Sequence, residues 1–198
     1  MDTCKVYGVL ASRAFRVMWL LDELGEPYEL IRAAAHSPDI QGVNPGGKIP
    51  ALQDGDDIIT DSTAIMTYLA DKHGKFTFPA GTIARARQDA LTNLLLDEFD
   101  SVLWTASRMT GLLPEEYRVP TVVPALHYEF ERNLNKLADR FEGPFLMGET
   151  MTIADILAVH CLNWATIAKF PVTNETLRAY ARELSQRPAY IRARQTGM

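Results

Sequence analysis

The sequence predicts two domains, an α/β domain at the N-terminal end and an all-α domain after it. Strand-like runs occur only before residue 61, where they alternate with helical patterns. The stretch from Phe76 to Gly81 contains Pro79 and has the composition of a linker. Beyond it, apolar residues recur at helical spacing alone. We therefore expect residues 1–76 to form the α/β domain, residues 77–83 to link the domains, and residues 84–198 to form a helical bundle.

The N-terminal segment predicts a strand, a helix and a second strand. Lys5–Val9 has the composition of a short strand, and Ser12 stands where a helix can begin. An apolar stripe follows from Phe15 to Leu24, and glycine and proline end it. Tyr28–Ile31 is the second strand. Strand, helix and strand within about thirty residues indicate a βαβ unit with a parallel pair of strands.

A hairpin and a helix complete the first domain. Pro38–Val43 is long enough for only one or two helical turns. Ile49–Gln53 and Asp57–Thr60 are two strand candidates, and the Asp-Gly-Asp sequence between them is a strong hairpin signal. A helix then runs from Ser62 to about Gly74. The parallel pair comes first and the hairpin last, which is the plan of the thioredoxin fold.

The second domain contains about five predicted helices. They cover Ile83 to about Met109, Val122–Phe141, Thr152–Ala168, Glu175–Leu184 and a short segment after Pro188. Pro114 and Pro120 separate the first two, because proline interrupts helical hydrogen bonding. At the third helix, residues 151–156 read MTIADI, a capping-box pattern in which Thr152 and Asp155 bind each other's backbone N–H groups. We expect this box to serve folding and not catalysis.

Composition restricts the expected partners. Of the 198 residues, 47% are hydrophobic and 23% are charged, which is typical of a globular protein with a sizeable core. The net charge of −5 forms no basic stripe, so neither nucleic acid nor an anionic membrane is an expected partner. The longest apolar runs are far shorter than the roughly 20 residues of a membrane span, and the first residues lack the pattern of a secretory signal. We expect a cytoplasmic protein.

The sequence contains two cysteines, Cys4 and Cys161. They lie far apart and neither belongs to a C-x-x-C pair, so they predict no disulfide framework and no metal site. Buried, reduced thiols in a reducing compartment are the expected state.

The stretch Asn44–Leu52, with the sequence NPGGKIPAL, is the most informative part of the chain. Proline cannot donate a ladder hydrogen bond, so Pro50 at the opening of a strand suggests a bend. A cis Ile49–Pro50 bond would present the backbone N–H and C=O of Ile49 to an extended, peptide-like ligand. Lys48 can bind a distant carboxylate of such a ligand, or it can be solvated.

A second polar motif begins eleven residues after Pro50, at Asp61 and Ser62. Ser62 at a helix start offers a hydroxyl and unpaired backbone N–H groups, which suit a carboxylate. Asp61 beside it can receive an ammonium group. The two motifs together match a short peptide with a zwitterionic end. The alternative is that Ser62 merely caps its helix.

These two motifs, in this order and domain context, resemble the glutathione-binding signature of cytosolic glutathione transferases, and the likeness covers the whole chain. The resemblance implies that Ile49 and Pro50 bind the cysteinyl backbone of glutathione. It places the γ-glutamyl end at Asp61 and Ser62, and the glycyl carboxylate at or near Lys48. It also implies glutathione as a co-substrate, no metal, and a homodimer.

The resemblance further implies that a residue near the first helix stabilises the glutathione thiolate. Ser12 is our first candidate, because its spacing from Arg16 along the sequence resembles that of the catalytic serine in theta-like members of the family. The resemblance is to a bacterial, theta-like, serine-type member. Tyr7 is the runner-up, since several classes use a tyrosine at the end of the first strand. Cys4 is a third candidate, because some bacterial members use a cysteine. His36 lies either near the glycyl end of the ligand or exposed in a loop.

In this family the acceptor site is lined by the loop after the first strand and by the first long helices of the second domain. The corresponding residues are Val9, Leu10, Trp104, Arg108, Met109 and Leu112. Trp104, Arg108 and Leu112 are spaced four residues apart, so one α-helical face can present all three. Core packing is the alternative for Trp104. An apolar lining of this kind suits varied hydrophobic electrophiles.

The function expected from the resemblance is conjugation of the glutathione thiolate to hydrophobic electrophiles. Two alternatives stay open. In other proteins the same two-domain fold is a non-catalytic interaction module. Related proteins act as glutathione-dependent peroxidases or disulfide reductases. The absence of a cysteine between residues 9 and 16 argues against the reductase.

Overall fold

The protein is described by a computed structural model, which covers residues 3–198. The chain forms two compact units. One unit comprises Met1–Pro79 together with Leu184–Met198, and the other comprises Ala80–Glu183.

A four-stranded mixed sheet forms the centre of the first unit. The strands are β1 (Cys4–Gly8), β2 (Tyr28–Arg32), β3 (Ala51–Asp54) and β4 (Asp57–Thr60), in the spatial order β2-β1-β3-β4. Strand β1 pairs in parallel with β2, and both the β1–β3 and β3–β4 pairs are antiparallel. The predicted parallel pair followed by a hairpin is therefore confirmed.

Three helices accompany this sheet along the chain: α1 (Ala14–Leu24), α2 (Pro38–Gln41) and α3 (Ser62–His73). Helices α1 and α3 pack against each other, and every residue of α1 from Ala14 to Leu21 is buried. A separate apolar cluster unites Ile40 of α2 with Ala33 and Ala51. Helix and strand thus alternate in the thioredoxin-like arrangement that the sequence predicts.

The second unit is entirely helical in its regular elements. Its α-helices are α4 (Ile83–Leu95), α5 (Ser101–Ser107), α6 (Val123–Ala138), α7 (Ile153–Ile167) and α8 (Glu175–Leu184). Two π-helical segments, Leu96–Asp100 and Arg108–Leu112, interrupt the first long helix. In the second of them the Leu113 N–H donates to the Arg108 carbonyl at 3.2 Å, five residues back. The predicted helix ending near Met109 therefore continues to Leu112, with a wider final turn.

The predicted capping box is present at the start of α7. Asp155 Oδ2 accepts a hydrogen bond from the Thr152 N–H at 2.7 Å. The other oxygen, Oδ1, accepts from the Leu146 N–H and the Tyr180 hydroxyl, each at 2.8 Å. Burial raises the pKa of the Asp155 carboxyl, while these donors act in the opposite direction. The box therefore connects α7 with α8 and with the loop before α7.

The last helix, α9 (Pro188–Gly197), belongs to the first unit and packs along α1. The Tyr190 ring meets the rings of Phe15 and Trp19 edge to face, with centroids 4.9 Å apart in both pairs. Arg187 binds both carboxylate oxygens of Glu23 at 2.6 and 2.8 Å. Within residues 3–198, no helix has both the length and the apolar character that crossing a bilayer requires.

Candidate active site

Ser12 lies in the loop between β1 and α1, two residues before the helix begins. Its hydroxyl donates to the Val9 carbonyl at 2.7 Å and accepts from the Ala14 N–H at 3.1 Å. The side chain is half-buried. The sequence places Ser12 at the start of the first helix, and its oxygen does bind the amide of the first helical residue. The hydroxyl therefore remains at the positive end of α1.

Gly8, the last residue of β1, marks the place where three segments converge. A methyl group on Gly8 would lie 2.5 Å from the Ala14 Cβ, which is too close for any side chain other than hydrogen. The same position is 3.8 Å from both the Ser12 Oγ and the Ile49 Cβ. The Ser12 hydroxyl and the loop before β3 therefore both lie close to this glycine.

The loop that carries Lys48 is shaped by its own polar contacts. The Ile49–Pro50 bond is cis. Asn44 Nδ2 donates to the Lys48 carbonyl at 2.8 Å, and Asn44 Oδ1 accepts from the Gly46 N–H at 3.1 Å. These bonds hold the Lys48 backbone, while its side chain is exposed. The ammonium group can therefore reach a charged ligand without losing a fixed protein contact.

His36 is held beside this loop by backbone contacts. Its N–H donates to the Gly47 carbonyl at 2.7 Å, and its φ of 63° is rare for a residue with a side chain. Gly47 also has a positive φ of 66°, and a Cβ there would collide with the His36 ring. His36 is therefore an exposed loop histidine that lies next to the Lys48 loop.

Asp61, and not Ser62, caps helix α3. Its Oδ1 accepts from the backbone N–H groups of Thr63 at 2.9 Å and Ala64 at 3.1 Å. The expectation that Ser62 acts only as the cap is therefore wrong. Asp61 has φ 72° and ψ 125°, a strained conformation for a residue other than glycine, which costs on the order of 1–3 kcal/mol. This conformation leaves Ser62 as the first residue of the helix itself.

Ser62 contacts a buried arginine. Arg16 Nη1 of helix α1 donates to Ser62 Oγ at 3.3 Å. Arg16 is completely buried and Ser62 is 2% exposed. The sequence carries one signal for this contact: Arg16 is the single charged residue inside the apolar run from Ala14 to Leu21. A buried charge in such a run needs partners, and Ser62 is one of them.

Tyr7 and Cys4 point to other parts of the sheet. The Tyr7 hydroxyl donates to Gln53 Oε1 at 2.9 Å, and Gln53 pairs with Lys5, nearer the start of β1 than Tyr7 itself. Cys4 begins β1, and its thiol contacts the Pro27 carbonyl at 3.8 Å. Burial, followed by the charge of Asp54, raises the pKa of the Cys4 thiol. Ser12 therefore lies past the opposite end of β1 from Cys4.

The predicted acceptor residues fall in both units. In the first unit Leu10 packs on α9, since a methyl group on Gly197 would lie 2.9 Å from the Leu10 Cβ. In the second unit Trp104 is 39% and Leu112 62% exposed. Arg108 begins the π-helical segment that Leu112 ends. Because π-helical turns are wider, the four-residue spacing holds only from Trp104 to Arg108, and a common face with Leu112 does not follow from it.

The site of the first unit suits a small peptide with charged ends. The first unit supplies a hydroxyl just before α1 at Ser12, the half-buried residue Ile49 before a cis peptide bond, and a buried hydroxyl at the tip of α3 at Ser62. An exposed cation stands at Lys48. Among residues 3–198, no group of three or more His, Cys, Asp or Glu side chains is arranged to hold a metal ion.

Comparison with known proteins identifies the family. The model of the glutathione S-transferase N-terminal domain matches residues 12–72, and that of the C-terminal domain matches residues 108–188. Human glutathione S-transferase theta-1 is 30% identical over 169 residues, which cover 78% of this chain and 70% of that protein. The chain belongs to the glutathione S-transferase family. The N-terminal match includes Ser12 and the whole stretch from Asn44 to Ser62.

Other glutathione S-transferases of more than one class are also similar. Human theta-2B is 31% identical over 141 residues, or 66% of this chain and 56% of that protein. A zeta-class glutathione S-transferase of Euphorbia esula is 28% identical over 177 residues, or 85% of this chain and 78% of that protein. The chain thus spans just over half of one relative and most of the other.

Solved glutathione transferase structures share the fold over nearly the whole chain. A crystal structure from Methylococcus capsulatus has a TM-score of 0.86 at 25% identity and covers 98% of each chain. One from Phanerochaete chrysosporium, with oxidised glutathione, has a TM-score of 0.83 at 25% identity and covers 98% of this chain and 96% of the other. The thioredoxin-like domain followed by a helical domain is therefore confirmed.

Proposed function

We propose that this family member binds glutathione beside β1 and transfers its thiolate to hydrophobic electrophiles. The convergence at Gly8 is the observation that carries the proposal. It brings the Ser12 hydroxyl and the Ile49 loop to within 3.8 Å of one point, where the sulfur and the cysteinyl backbone of a bound tripeptide have to lie near each other. The glutathione transferase from Phanerochaete chrysosporium, which contains oxidised glutathione, supports the choice of ligand.

Each part of glutathione has a proposed partner. The backbone N–H and C=O of Ile49, before Pro50, pair with the cysteinyl residue. The Ser62 hydroxyl and the first amides of α3 bind the γ-glutamyl carboxylate. Asp61 uses Oδ1 for its helix cap, so Oδ2 is the oxygen we assign to the γ-glutamyl ammonium group. Lys48 attracts the glycyl carboxylate from solvent.

We assign thiolate stabilisation to Ser12. A thiolate needs a hydrogen-bond donor, and the Ser12 hydroxyl donates its proton to the Val9 carbonyl. Rotation about the C–O bond turns that proton toward sulfur without moving the oxygen, which keeps its bond to the Ala14 N–H. The amide bond and the helix dipole favour negative charge at this point. Tyr7 is the alternative donor, but it first has to release Gln53.

We also propose residues in each unit that contact the electrophilic acceptor substrate. Leu10 is assigned in the first unit, and Trp104, Arg108 and Leu112 are assigned in the second. The exposed apolar area of Trp104 and Leu112 supports the choice of a hydrophobic electrophile. We propose glutathione and a hydrophobic electrophile as the partners, and neither nucleic acid nor a membrane.

Subclass, assembly and location complete the proposal. We infer a bacterial enzyme of the theta-like, serine type. The theta-class relatives support this subclass, and the zeta-class relative leaves the zeta class open as well. A homodimer is the assembly expected of the family. Both cysteines are free thiols, which fits a cytoplasmic location.

Titration calorimetry with reduced glutathione tests the binding half of the proposal. The expected result is one-site binding, weakened about tenfold or more by Ser62→Ala because the carboxylate loses a charge-assisted hydrogen bond. Thr67→Ala, which changes a half-buried hydroxyl on the same helix, serves as the control. No heat of binding at millimolar glutathione would refute the proposal.

Turnover tests the catalytic half and separates the alternatives. A chromogenic aryl halide reports conjugation, while hydroperoxide and mixed-disulfide substrates report the peroxidase and reductase reactions. We expect conjugation to be measurable with the aryl halide. Glutathione binding with no turnover on any of these substrates would favour the non-catalytic module.

A further inference from the structure

The last residue of α9 contacts the loop that carries Ser12. Gly197 is buried, and a methyl group added to it would lie 2.8 Å from the Leu10 Cδ1, 2.9 Å from the Leu10 Cβ and 3.2 Å from the Leu10 Cγ. Carbon atoms that are not bonded to each other pack at about 3.5–4.0 Å. Leu10 therefore occupies the space that a side chain at Gly197 would need, and it packs directly on the backbone of α9.

Local backbone preferences do not account for a glycine at this position. Glycine is a poorer helix former than alanine, and Ala193, one turn earlier on the same buried face, does carry a methyl group. The left-handed backbone that favours glycine after a helix occurs at Gly25 and Gly74 but not at Gly197. The contact with Leu10 therefore supplies the physical reason for the missing side chain.

Leu10 lies within a short ring of the chain that the Ser12 hydroxyl closes. The hydroxyl donates to the Val9 carbonyl at 2.7 Å and accepts from the Ala14 N–H at 3.1 Å. Leu10 and Ala11 are the two residues between the donor and the acceptor of the first bond. A shift of the Leu10 backbone therefore moves Val9, Ser12 or both, and it changes the direction in which the hydroxyl donates.

Ion pairs hold α9 against α1, so the helix is the fixed partner in this contact. Arg187 binds both carboxylate oxygens of Glu23 at 2.6 and 2.8 Å. Arg192 Nε donates to Asp22 Oδ1 at 3.1 Å, and its Nη2 donates to the Asp22 carbonyl at 3.0 Å. The loop has no comparable ties and is half-exposed. Added volume at the end of the helix would therefore displace the loop and not the helix.

We propose that Gly197 is a positioning residue for the Ser12 hydroxyl, acting through Leu10. In this role Gly197 touches neither glutathione nor the electrophile. Its missing side chain lets Leu10 pack on α9, and this packing holds the loop in the conformation from which Ser12 can donate to a thiolate. The inference rests on the proposed function, because it explains how the proposed donor is kept in place.

The test measures the pKa of the glutathione thiol in the complex with the full chain, without an electrophile. The thiolate absorbs in the ultraviolet, so difference spectra over a range of pH give this pKa. Below the midpoint, the bound thiolate fraction should fall about tenfold in Ser12→Ala and about threefold or more in Gly197→Ala, because the thiolate loses a well-directed donor. The Kd for S-methylglutathione, which has no thiol proton, should change less than about twofold in Gly197→Ala.

A second variant covers the case in which Gly197→Ala does not fold, which thermal unfolding reports. Leu10→Ala should also lower the bound thiolate fraction, because the loop loses its support on α9. In the double variant the two effects should be less than multiplicative, since the Cγ and Cδ1 atoms that collide with the added methyl group are absent. Gln195→Ala, at an exposed position in the last turn of α9, is the control and should leave the thiolate fraction unchanged.

Two results would overturn the inference while leaving the proposed function intact. One is a wild-type thiol pKa in folded Gly197→Ala, or in Leu10→Ala if Gly197→Ala does not fold, while Ser12→Ala raises it. The other is a fully multiplicative effect in the double variant, which would show that the two residues act separately. A wild-type protein without bound thiolate, or an unchanged thiol pKa in Ser12→Ala, would instead overturn the role proposed for Ser12.

Discussion

At the scale of single residues, the role proposed for Ser12 requires its one hydroxyl proton to serve two acceptors, the Val9 carbonyl and a thiolate. The proton is donated to the Val9 carbonyl, and the oxygen accepts from the Ala14 N–H. Rotation of the proton toward a sulfur leaves the Val9 carbonyl without this donor, a loss that a nearby water can compensate. The Ser12 hydroxyl can therefore turn its proton from the Val9 carbonyl toward another acceptor without any movement of the backbone.

Replacing Ser12 by alanine should lower turnover more than tenfold while the Kd for glutathione changes little, because in the proposed role the hydroxyl donates to the thiolate and not to the charged ends of the tripeptide. Steady-state kinetics with an aryl halide and calorimetry on the same variant measure the two quantities. Tyr7→Phe is the matched control and should keep near-normal turnover. Full activity of Ser12→Ala with an inactive Tyr7→Phe would reverse the assignment.

Asp54 provides a second test at this scale. Hydrogen bonds donated by Lys72 and by the Tyr68 hydroxyl, the latter at 2.6 Å, lower the pKa of its carboxyl. A lowered pKa in the folded state stabilises the protein above the unfolded-state value, and this contribution is lost as the pH falls through the folded-state value. Carbon NMR should place the Asp54 titration below about 3.9, the value for an unperturbed aspartate.

Lys72→Met should move the Asp54 midpoint back toward that value, because the principal donor is removed. Lys75→Met, near the end of the same helix, is the control and should leave the midpoint in place. A midpoint for Asp54 that does not respond to Lys72→Met would contradict the assigned cause.

The sequence locates most of the candidate site but not its internal contacts. Asp61 and Ser62 were assigned to the start of a helix correctly, yet aspartate and serine are equally good caps, and only the backbone conformation of Asp61 decides between them. The bond from Arg16 to Ser62 depends on how α1 and α3 pack. Local pattern carries no information on such a distant pair.

At the scale of elements, the start of α7 is held by one carboxylate with several donors. Asp155 accepts from two backbone N–H groups, from the Thr152 hydroxyl and from Tyr180. The capping-box pattern in the sequence predicts the Thr152 part of this network. The Tyr180 and Leu146 contacts are additional, since they come from α8 and from the loop before α7.

Asp155→Ala should therefore be more destabilising than the loss of a cap alone. We expect about 3 kcal/mol, because buried donors lose their acceptor, against about 1 kcal/mol for Thr152→Ala and for Tyr180→Phe. Urea unfolding followed by circular dichroism measures all three. Asp139→Ala, an exposed position at the end of α6, is the control and should change stability by less than about 0.5 kcal/mol. Equal effects of Asp155→Ala and Thr152→Ala would refute the network.

The π-helical segments show where periodicity stops being informative. A π-turn adds one residue to a helix without changing its apolar composition, so the pattern from Ile83 onward predicts one continuous helix. The helix is continuous, but Leu96–Asp100 and Arg108–Leu112 shift the angular positions of the residues that follow. Side-chain direction beyond such a turn cannot be obtained from α-helical spacing.

At the scale of the whole molecule, the order of strands and helices was sufficient to predict the fold class. Strand, helix, strand and hairpin in sequence allow few arrangements of one sheet. The place of α9 was not predictable in the same way. Its contacts with α1 join residues as much as 170 positions apart, such as Arg192 and Asp22, and a helical pattern does not reveal its neighbour.

Tyr190→Ala should destabilise the first unit by about 3 kcal/mol, because it removes two edge-to-face ring contacts and leaves a cavity against Phe15 and Trp19. Chemical unfolding monitored by circular dichroism gives the free energy. Ile191→Ala is the matched control, since the neighbouring side chain is 44% exposed, and it should cost less than about 1 kcal/mol. Similar losses in the two variants would contradict the packing of α9 on α1.

The first unit is formed by two segments that lie far apart in the chain, and this has a consequence for biosynthesis. Its sheet is encoded before residue 80, but Trp19 and Phe15 meet Tyr190 only after more than a hundred further residues have been translated. While the ribosome makes residues 80–183, a nascent surface of α1 stays uncovered and open to chaperones. A polypeptide released before Leu184 would retain α1 yet lack the helix that covers its Phe15 and Trp19 rings, which makes premature termination a direct route to aggregation.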